Sequence, residues 1–317
     1  VSNQSNSSKR IILANPRGFC AGVDRAIAIV DMALVKYGAP IYVRHEVVHN
    51  KYVVDDLKQR GAIFIEDIED VPENSILIYS AHGVPLCVRN QAAAKNLKMI
   101  FDATCPLVNK VHVEVKNLHN QGYTIIMVGH KGHPEVEGTM GQVSGNIYLI
   151  EKEADIAKLP LPSELEKIAV VTQTTLAVDE TKSVLAKLKQ TFPALRFPKN
   201  EDICYATQNR QDAVKKMADV CDAVIVIGSK NSSNSNRLKE LAENLGVPAY
   251  LIDFAHEIEE SWLTSVVSMG VTAGASAPEI LVEGVIKKLG NYGFNKTETL
   301  SAVSEHMIFA LPSELRG

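Results

Sequence analysis

Three cysteines stand where β-rich stretches give way to helical ones: Cys20 in Gly18-Phe-Cys-Ala-Gly22, Cys105 in Asp102-Ala-Thr-Cys-Pro106, and Cys204 in Asp202-Ile-Cys-Tyr205. Thiolates from distant segments can share one soft metal centre. A cubane iron–sulfur cluster held by only three of them leaves one iron open to substrate. Zinc bound by three Cys competes with that reading, because no Cys-x-x-Cys pair argues either way. A lone Cys is more often a small buried hydrophobe, but the Gly and Pro neighbours here favour a ligand. Cys87 and Cys221 lack such surroundings and are expected to pack.

A second set of residues suits acid–base chemistry beside an anion. Glu135, in Gly132-His-Pro-Glu135 just after an apolar run, is a candidate proton donor if a cleft desolvates it. A Glu at a helix start can equally serve only the helix dipole. His49, His82 and His133 each follow a run and are candidate phosphate donors or proton carriers. The other six His are assigned no role. Ser232, Ser233 and Asn234, with Thr174, Thr175 and Ser276, can donate to phosphate or simply cap helices. The run Ser229-Lys-Asn-Ser-Ser-Asn234 lacks the spacing of a Walker loop, and no dinucleotide fingerprint is complete.

The elements that must position these residues alternate along the chain. Apolar, β-branched runs at 11–13, 41–43, 76–79, 124–128, 168–171, 223–227, 250–252 and 269–271 suit strands buried on both faces of parallel sheets. Val23, Ile27, Val30, Leu34 and Tyr37 form a helical stripe ended by Gly38 and Pro40, and Leu238, Leu241 and Leu245 form another ended by Gly246 and Pro248. The class is therefore α/β. Polar segments after runs recur in two kinds. Residues 79–83, 128–135 and 227–234 form one kind; residues 44–49, 172–175 and 272–276 form the other. With one Cys per third, this predicts three α/β domains, at 11–104, 105–203 and 204–288, and a segment 289–317 returning to the first. Ligands of open parallel sheets bind beyond the carboxyl ends of the strands, where helix N-termini add N–H donors. A phosphate or diphosphate fits.

Composition narrows the function. Of 317 residues, 46% are hydrophobic and 22% charged, which excludes a disordered or collagen-like chain. The formal net charge of -4 gives no electrostatic footprint for nucleic acid. No apolar run approaches the roughly 18 residues of a membrane span, and Val1–Ser8 lacks the apolar core of a signal peptide. The expectation is a cytoplasmic chain with reduced thiols, associating with neither nucleic acid nor membrane.

The motifs quoted above, together with Asn15-Pro-Arg-Gly-Phe-Cys20, Arg44-His-Glu-Val-Val-His-Asn50, Glu135-Val-Glu-Gly-Thr139 and Asp202-Ile-Cys-Tyr-Ala-Thr207, resemble the 4-hydroxy-3-methylbut-2-enyl diphosphate reductases, in order, over nearly the whole chain. The resemblance implies reductive dehydroxylation of an allylic diphosphate to isopentenyl and dimethylallyl diphosphates, the last step of the methylerythritol phosphate route to isoprenoids. It implies a trefoil of three α/β domains around a [4Fe–4S] cluster, with Cys20, Cys105 and Cys204 as ligands. By the same resemblance His49, His82, His133, Ser232, Ser233, Asn234 and Ser276 hold the diphosphate, with Thr175 beside them. Glu135, aided by Thr174, delivers protons. An external donor such as ferredoxin or flavodoxin supplies electrons to what is expected to be a monomer. A zinc-dependent hydrolase of a phosphorylated small molecule and a non-catalytic iron–sulfur electron carrier are the alternatives; only the former would lack a brown chromophore, and only the latter a phosphate cradle.

Overall fold

The structure, a computed structural model, describes residues 9–198 and 201–316. The Val1–Ser8 stretch read above for a signal peptide lies outside the described residues. Strands follow in the order β1 (Arg10–Asn15), β2 (Ile41–Arg44), β3 (Ala62–Ile65), β4 (Ile76–Tyr79), β5 (Met99–Asp102), β6 (Thr124–Val128), β7 (Ile147–Ile150), β8 (Ile168–Thr172), β9 (Ala223–Ile227), β10 (Ala249–Ile252), β11 (Ser268–Ala273) and β12 (Lys296–Ser301). The helices are α1 (Ala21–Tyr37), α2 (Lys51–Gln59), α3 (Leu86–Ala94), α4 (Pro106–Asn120), α5 (Pro134–Met140), α6 (Glu153–Ile156), α7 (Val178–Thr191), α8 (Tyr205–Ala218), α9 (Ser233–Asn244) and α10 (Glu279–Gly290).

The class is α/β, with three parallel sheets: β3-β2-β4-β5, β7-β6-β8 and β10-β9-β11-β1-β12. Strands β4, β8 and β9 are buried along their whole length. Their unbroken Ile, Val and Leu runs can be satisfied only where helices cover both faces of a sheet.

The sheets share one plan. In each, the chain enters an inner strand, crosses to the edge, and returns to pair on the other side of the first strand: β2, β3, β4; then β6, β7, β8; then β9, β10, β11. A fourth position flanks the last of these. It is β5 in the first sheet and β1 in the third, while in the second it shrinks to Arg196, a single parallel bridge to Ala169 on β8. The third sheet thus takes its fourth strand from the start of the chain. The domain range 11–104 expected from sequence includes β1, but Arg10 to Leu13 pair with Ser268 to Val271 of β11. Beyond it, β12 pairs with β1 from Arg10 to Asn15. The tail then meets α1, where Arg25 Nε donates to Ala310 O at 2.8 Å and Lys36 Nζ to Glu314 O at 2.5 Å.

By proximity the chain divides into two compact units. One runs to Cys20 and adds His49–Val53 and Tyr205–Met307. Its core covers both faces of the five-stranded sheet, with Ile225, Val271 and Val282 on one side and Val226, Met217 and Leu238 on the other. The second unit holds Ala21–Val48, Val54–Cys204 and the chain from Ile308, and contains the other two sheets.

The helical stripe expected in α1 is rotated. Gly22, Ala26, Ile29, Val30 and Ala33 are the buried residues, so of the five expected only Val30 is fully covered. Small side chains let a helix lie closer to a sheet than a Leu/Tyr face would, and the larger residues flank the contact. In α9, Leu238 is fully buried but Leu245, just past the helix end, is 48% exposed. No helix among the described residues is long and apolar enough to cross a membrane.

Candidate functional site

Each of the three cysteines immediately precedes a helix: Cys20 before α1, Cys105 as the N-cap of α4, and Cys204 before α8. The positive end of a helix dipole favours a thiolate, the form that binds metal. Their backbone amides are pinned alike. Cys20 N donates to Ala275 O at 3.2 Å, Cys105 N to Ala81 O at 2.9 Å, and Cys204 N to Thr174 O at 3.0 Å. Ala81, Thr174 and Ala275 stand two residues past the ends of β4, β8 and β11, so one construction presents all three sulfurs.

That construction fits an iron–sulfur group. The three thiols form no disulfide and are partly exposed, whereas Cys221 is buried in the core. Burial pushes the Cys221 thiol up to about 12, which leaves it inert. Cys87, expected to pack, is instead exposed at the start of α3, because the buried face of that helix runs through Val88 and Ala92. Among the described residues no three His, Cys, Asp or Glu side chains lie close enough to hold one metal ion. The thiolates of a cubane bind different irons and need not meet that condition.

The shared plan of the sheets also regroups the polar segments. Segments after β4, β8 and β11 receive the cysteine amides and carry His82, Thr174 with Thr175, and Ser276. Segments after β2, β6 and β9 carry His49, His133 with Glu135, and Ser232 to Asn234. The sequence reading placed 79–83 and 44–49 in each other's class. Both contain His after an apolar strand, and only the hydrogen-bond partners tell them apart.

In the second unit, His133 caps α5: its Nδ1 accepts the Glu135 amide at 3.1 Å, and Pro134 starts the helix. A neutral His133 must then carry its proton on Nε2. Glu135 is buried and accepts twice from Thr174, from the amide at 2.6 Å and from Oγ1 at 3.0 Å. Burial pushes its carboxyl up to about 7, against the lowering effect of the Thr174 hydrogen bonds. Such a group gives and takes a proton near neutrality. The His82 and His133 rings meet edge to face at 5.8 Å, and Ser80 Oγ lies 3.3 Å from His82 Nδ1. Gly83 follows at φ 78, where an added Cβ would strike the buried His112 ring. Thr175 is held differently, its Oγ1 accepting from Gln173 Nε2 at 3.0 Å.

In the first unit, Ser276 Oγ donates to His49 O at 2.8 Å, and His49 Nδ1 lies 3.4 Å from Asn231 Nδ2. Asn234 Oδ1 accepts the Ala275 amide at 2.9 Å, tying the start of α9 to the segment that receives Cys20. Ser232 caps α9, and Ser233 is its first residue. Sequence reading missed Asn231, Ser229 and Gln173. Ser229 Oγ accepts the Lys51 amide at 2.9 Å, and Gln173 Oε1 accepts the His130 amide at 3.0 Å. A buried Gln between two strand-end threonines was the available signal for the last.

Parallel sheets whose strand ends carry thiols, imidazoles, hydroxyls and a protonatable carboxyl define an α/β enzyme. A model of the LytB protein family matches residues 11–290, and the chain belongs to that family. Its sequence is 59% identical over 309 residues to the 4-hydroxy-3-methylbut-2-enyl diphosphate reductase of Chromobacterium violaceum, covering 98% of this chain and 99% of that one. The like-named protein of Pseudomonas syringae pv. tomato is 58% identical over 97% of this chain and 98% of its own. The solved structure of the E-1-hydroxy-2-methyl-but-2-enyl-4-diphosphate reductase from Plasmodium falciparum superposes with a TM-score of 0.93 at 41% identity, covering 97% of each chain.

Proposed function

We propose that this enzyme removes the hydroxyl of (E)-4-hydroxy-3-methylbut-2-enyl diphosphate reductively and forms isopentenyl and dimethylallyl diphosphates. The C–O bond breaks, the oxygen leaves as water, and a C–H bond forms at either end of the allyl unit. Two electrons and two protons balance the change. A [4Fe–4S] cluster, held by Cys20, Cys105 and Cys204, would supply the electrons one at a time and a Lewis-acid iron for the hydroxyl. The electrons come from a small carrier protein of the ferredoxin or flavodoxin kind. We assign the enzyme to the cytoplasm, as a monomer.

The chain's own residues bind, orient and move protons. His49, His82, His133, Ser232, Ser233, Asn234 and Ser276 are the donors assigned to the diphosphate. Hydrogen bonds to a charged group contribute roughly 1.5–3 kcal/mol each, so several of them can fix a small ligand by an end remote from the reacting carbon. Glu135 holds the proton that turns hydroxide, a poor leaving group, into water. Thr174 sets the orientation of that carboxyl and offers a hydroxyl as relay.

One observation carries this reading: a buried carboxyl poised near neutrality is held by Thr174, the residue whose carbonyl receives the Cys204 amide. Acid and thiol are therefore fixed to one strand end. The test is anaerobic iron and sulfide quantitation, followed by titration with the hydroxylated allylic diphosphate and product analysis under a chemical reductant. Four irons per chain, a ligand-dependent spectral change and both five-carbon products are expected. Zinc in place of iron, or release of phosphate without loss of the hydroxyl, would reject the proposal.

A further inference from the structure

The helix that starts at each cysteine carries a cation five or six positions on: Arg25 in α1, Lys110 in α4, and Arg210 in α8. Each cation reaches the loop in front of a different cysteine. Arg25 donates from Nη2 to Asp102 O at 3.3 Å and from Nη1 to Thr104 O at 3.2 Å, just before Cys105. Lys110 Nζ donates to Glu201 O at 3.1 Å and to Asp202 Oδ1 at 3.3 Å, just before Cys204. Arg210 donates to Gly18 O from Nε at 3.0 Å and from Nη2 at 2.7 Å, and to Phe19 O at 3.2 Å, just before Cys20. The helix after the first cysteine thus holds the loop before the second, the second holds the third, and the third returns to the first.

We propose that Arg25, Lys110 and Arg210 are positioning residues that form a cyclic brace, each fixing the loop from which the next cysteine presents its sulfur to the cluster. The inference rests on the reading of Cys20, Cys105 and Cys204 as ligands. Its physical basis is that carbonyls of the loops before the cysteines lie outside any ladder and need donors to keep one conformation. A cation provides the strongest such donor and also places positive charge beside an anionic centre. The charges are managed differently in the three cases. Arg210 is fully buried and is paired with Glu305 at 3.1 Å, which Asn209 also holds at 2.9 Å. Lys110 pairs with the buried Asp202 carboxylate. Arg25 binds carbonyls alone; burial lowers its pKa, and the charges of Asp102 and Cys105 counter only part of that effect.

Outer contacts that hold metal ligands typically alter affinity by about 10–100-fold when removed. The test uses the full chain reconstituted anaerobically, comparing Arg25→Met, Lys110→Met, Lys110→Arg, and Arg210→Met combined with Glu305→Gln so that no buried charge is left unpaired. Three quantities are read: the rate of iron release to a chelator, the electron paramagnetic resonance spectrum of the reduced cluster, and amide exchange in the metal-free chain. We expect release about 10–100-fold faster in the three Met variants, shifted g values, and faster exchange confined to the braced loop, for Arg25→Met the segment 102–105. Lys110→Arg restores slow release. If the Met variants match the wild type in release and spectrum while Cys105→Ser loses its iron, the brace is overturned and the ligand reading stands. Faster release that tracks a general loss of thermal stability with an unchanged spectrum also overturns it, since that is a role in the fold alone. If Cys105→Ser keeps as much iron as the wild type, the ligand reading falls and the brace with it.

Discussion

Thr174 gives both of its donors to Glu135, the amide at 2.6 Å and the hydroxyl at 3.0 Å. Both bonds favour the ionised carboxylate, while burial, the larger effect, disfavours it. Thr174→Val keeps the shape and the amide but removes the hydroxyl. The carboxyl then rises above its present value of about 7, and the alkaline limb of the pH–rate profile moves to higher pH. Turnover falls by about tenfold, the scale of one hydrogen bond to a charged group. Thr174→Ser restores both features, and an unmoved limb in the Val variant would contradict the coupling.

Glu135→Gln removes the proton but keeps the volume and an acceptor for Thr174. Turnover should fall by roughly two to four orders of magnitude, the usual range for a general acid. Cluster iron and diphosphate affinity should persist, because neither is assigned to this side chain. Retention of near-normal turnover would remove Glu135 from the mechanism.

The same carboxyl makes folding stability depend on pH. Its folded value of about 7 lies above the ordinary 4.5, so the unfolded chain releases the proton more readily than the folded one. The contribution is fully present below pH 4.5 and is lost as pH rises through about 7. The loss is on the order of 3 kcal/mol for a shift of this size. Denaturant titrations of the metal-free chain should show Glu135→Gln gaining on the wild type between these limits and holding a constant lead above them.

How much of this was legible beforehand differs by element. The inner strands are unbroken apolar runs such as Ala223–Ile227, which leave no alternative to a covered parallel sheet. Strands β3, β5, β7 and β12 escaped notice because each lies at a sheet edge with partial exposure, so Lys296–Ser301 reads as a polar segment. The cysteines, His49, His82, His133 and Glu135 stood out through residue type and through small neighbours. The pairing of β1 with β11 did not, since it joins residues more than 250 positions apart and no local pattern encodes it. Arg25, Lys110 and Arg210 resemble ordinary helix-surface cations until their carbonyl partners are seen.

Cysteine identity separates ligands from bystanders. Cys105→Ser should lose cluster iron, because serine at the start of α4 offers a harder ligand that suits iron–sulfur chemistry poorly. Cys87→Ser should keep it, since Cys87 lies exposed within α3 rather than immediately before a helix, as the other three do. Equal iron in both variants, measured after anaerobic reconstitution, would reject the assignment.

The close approach of α9 to its sheet gives a last test of the diphosphate donors. Gly228 and Gly274 follow β9 and β11, and a Cβ at either would collide with the Ser235 side chain. Ser235 lies in the first turn of α9, beside Ser232, Ser233 and Asn234. Gly274→Ala therefore drives the Ser235 hydroxyl from its bond to Ser232 Oγ and brings the new methyl to 3.1 Å from the Ser235 Cβ. The first turn of α9 must yield slightly, disturbing the assigned donors and straining the Asn234 bond to the Ala275 amide. Losing the alignment of even one charge-assisted hydrogen bond weakens binding by about tenfold or more. Calorimetric titration with inorganic diphosphate should show that loss in Gly274→Ala. Adding Ser235→Gly removes the colliding atoms and should recover most of the affinity, apart from the modest cost of glycine in a helix. If Gly274→Ala binds diphosphate as the wild type does, the start of α9 is not part of the anion site.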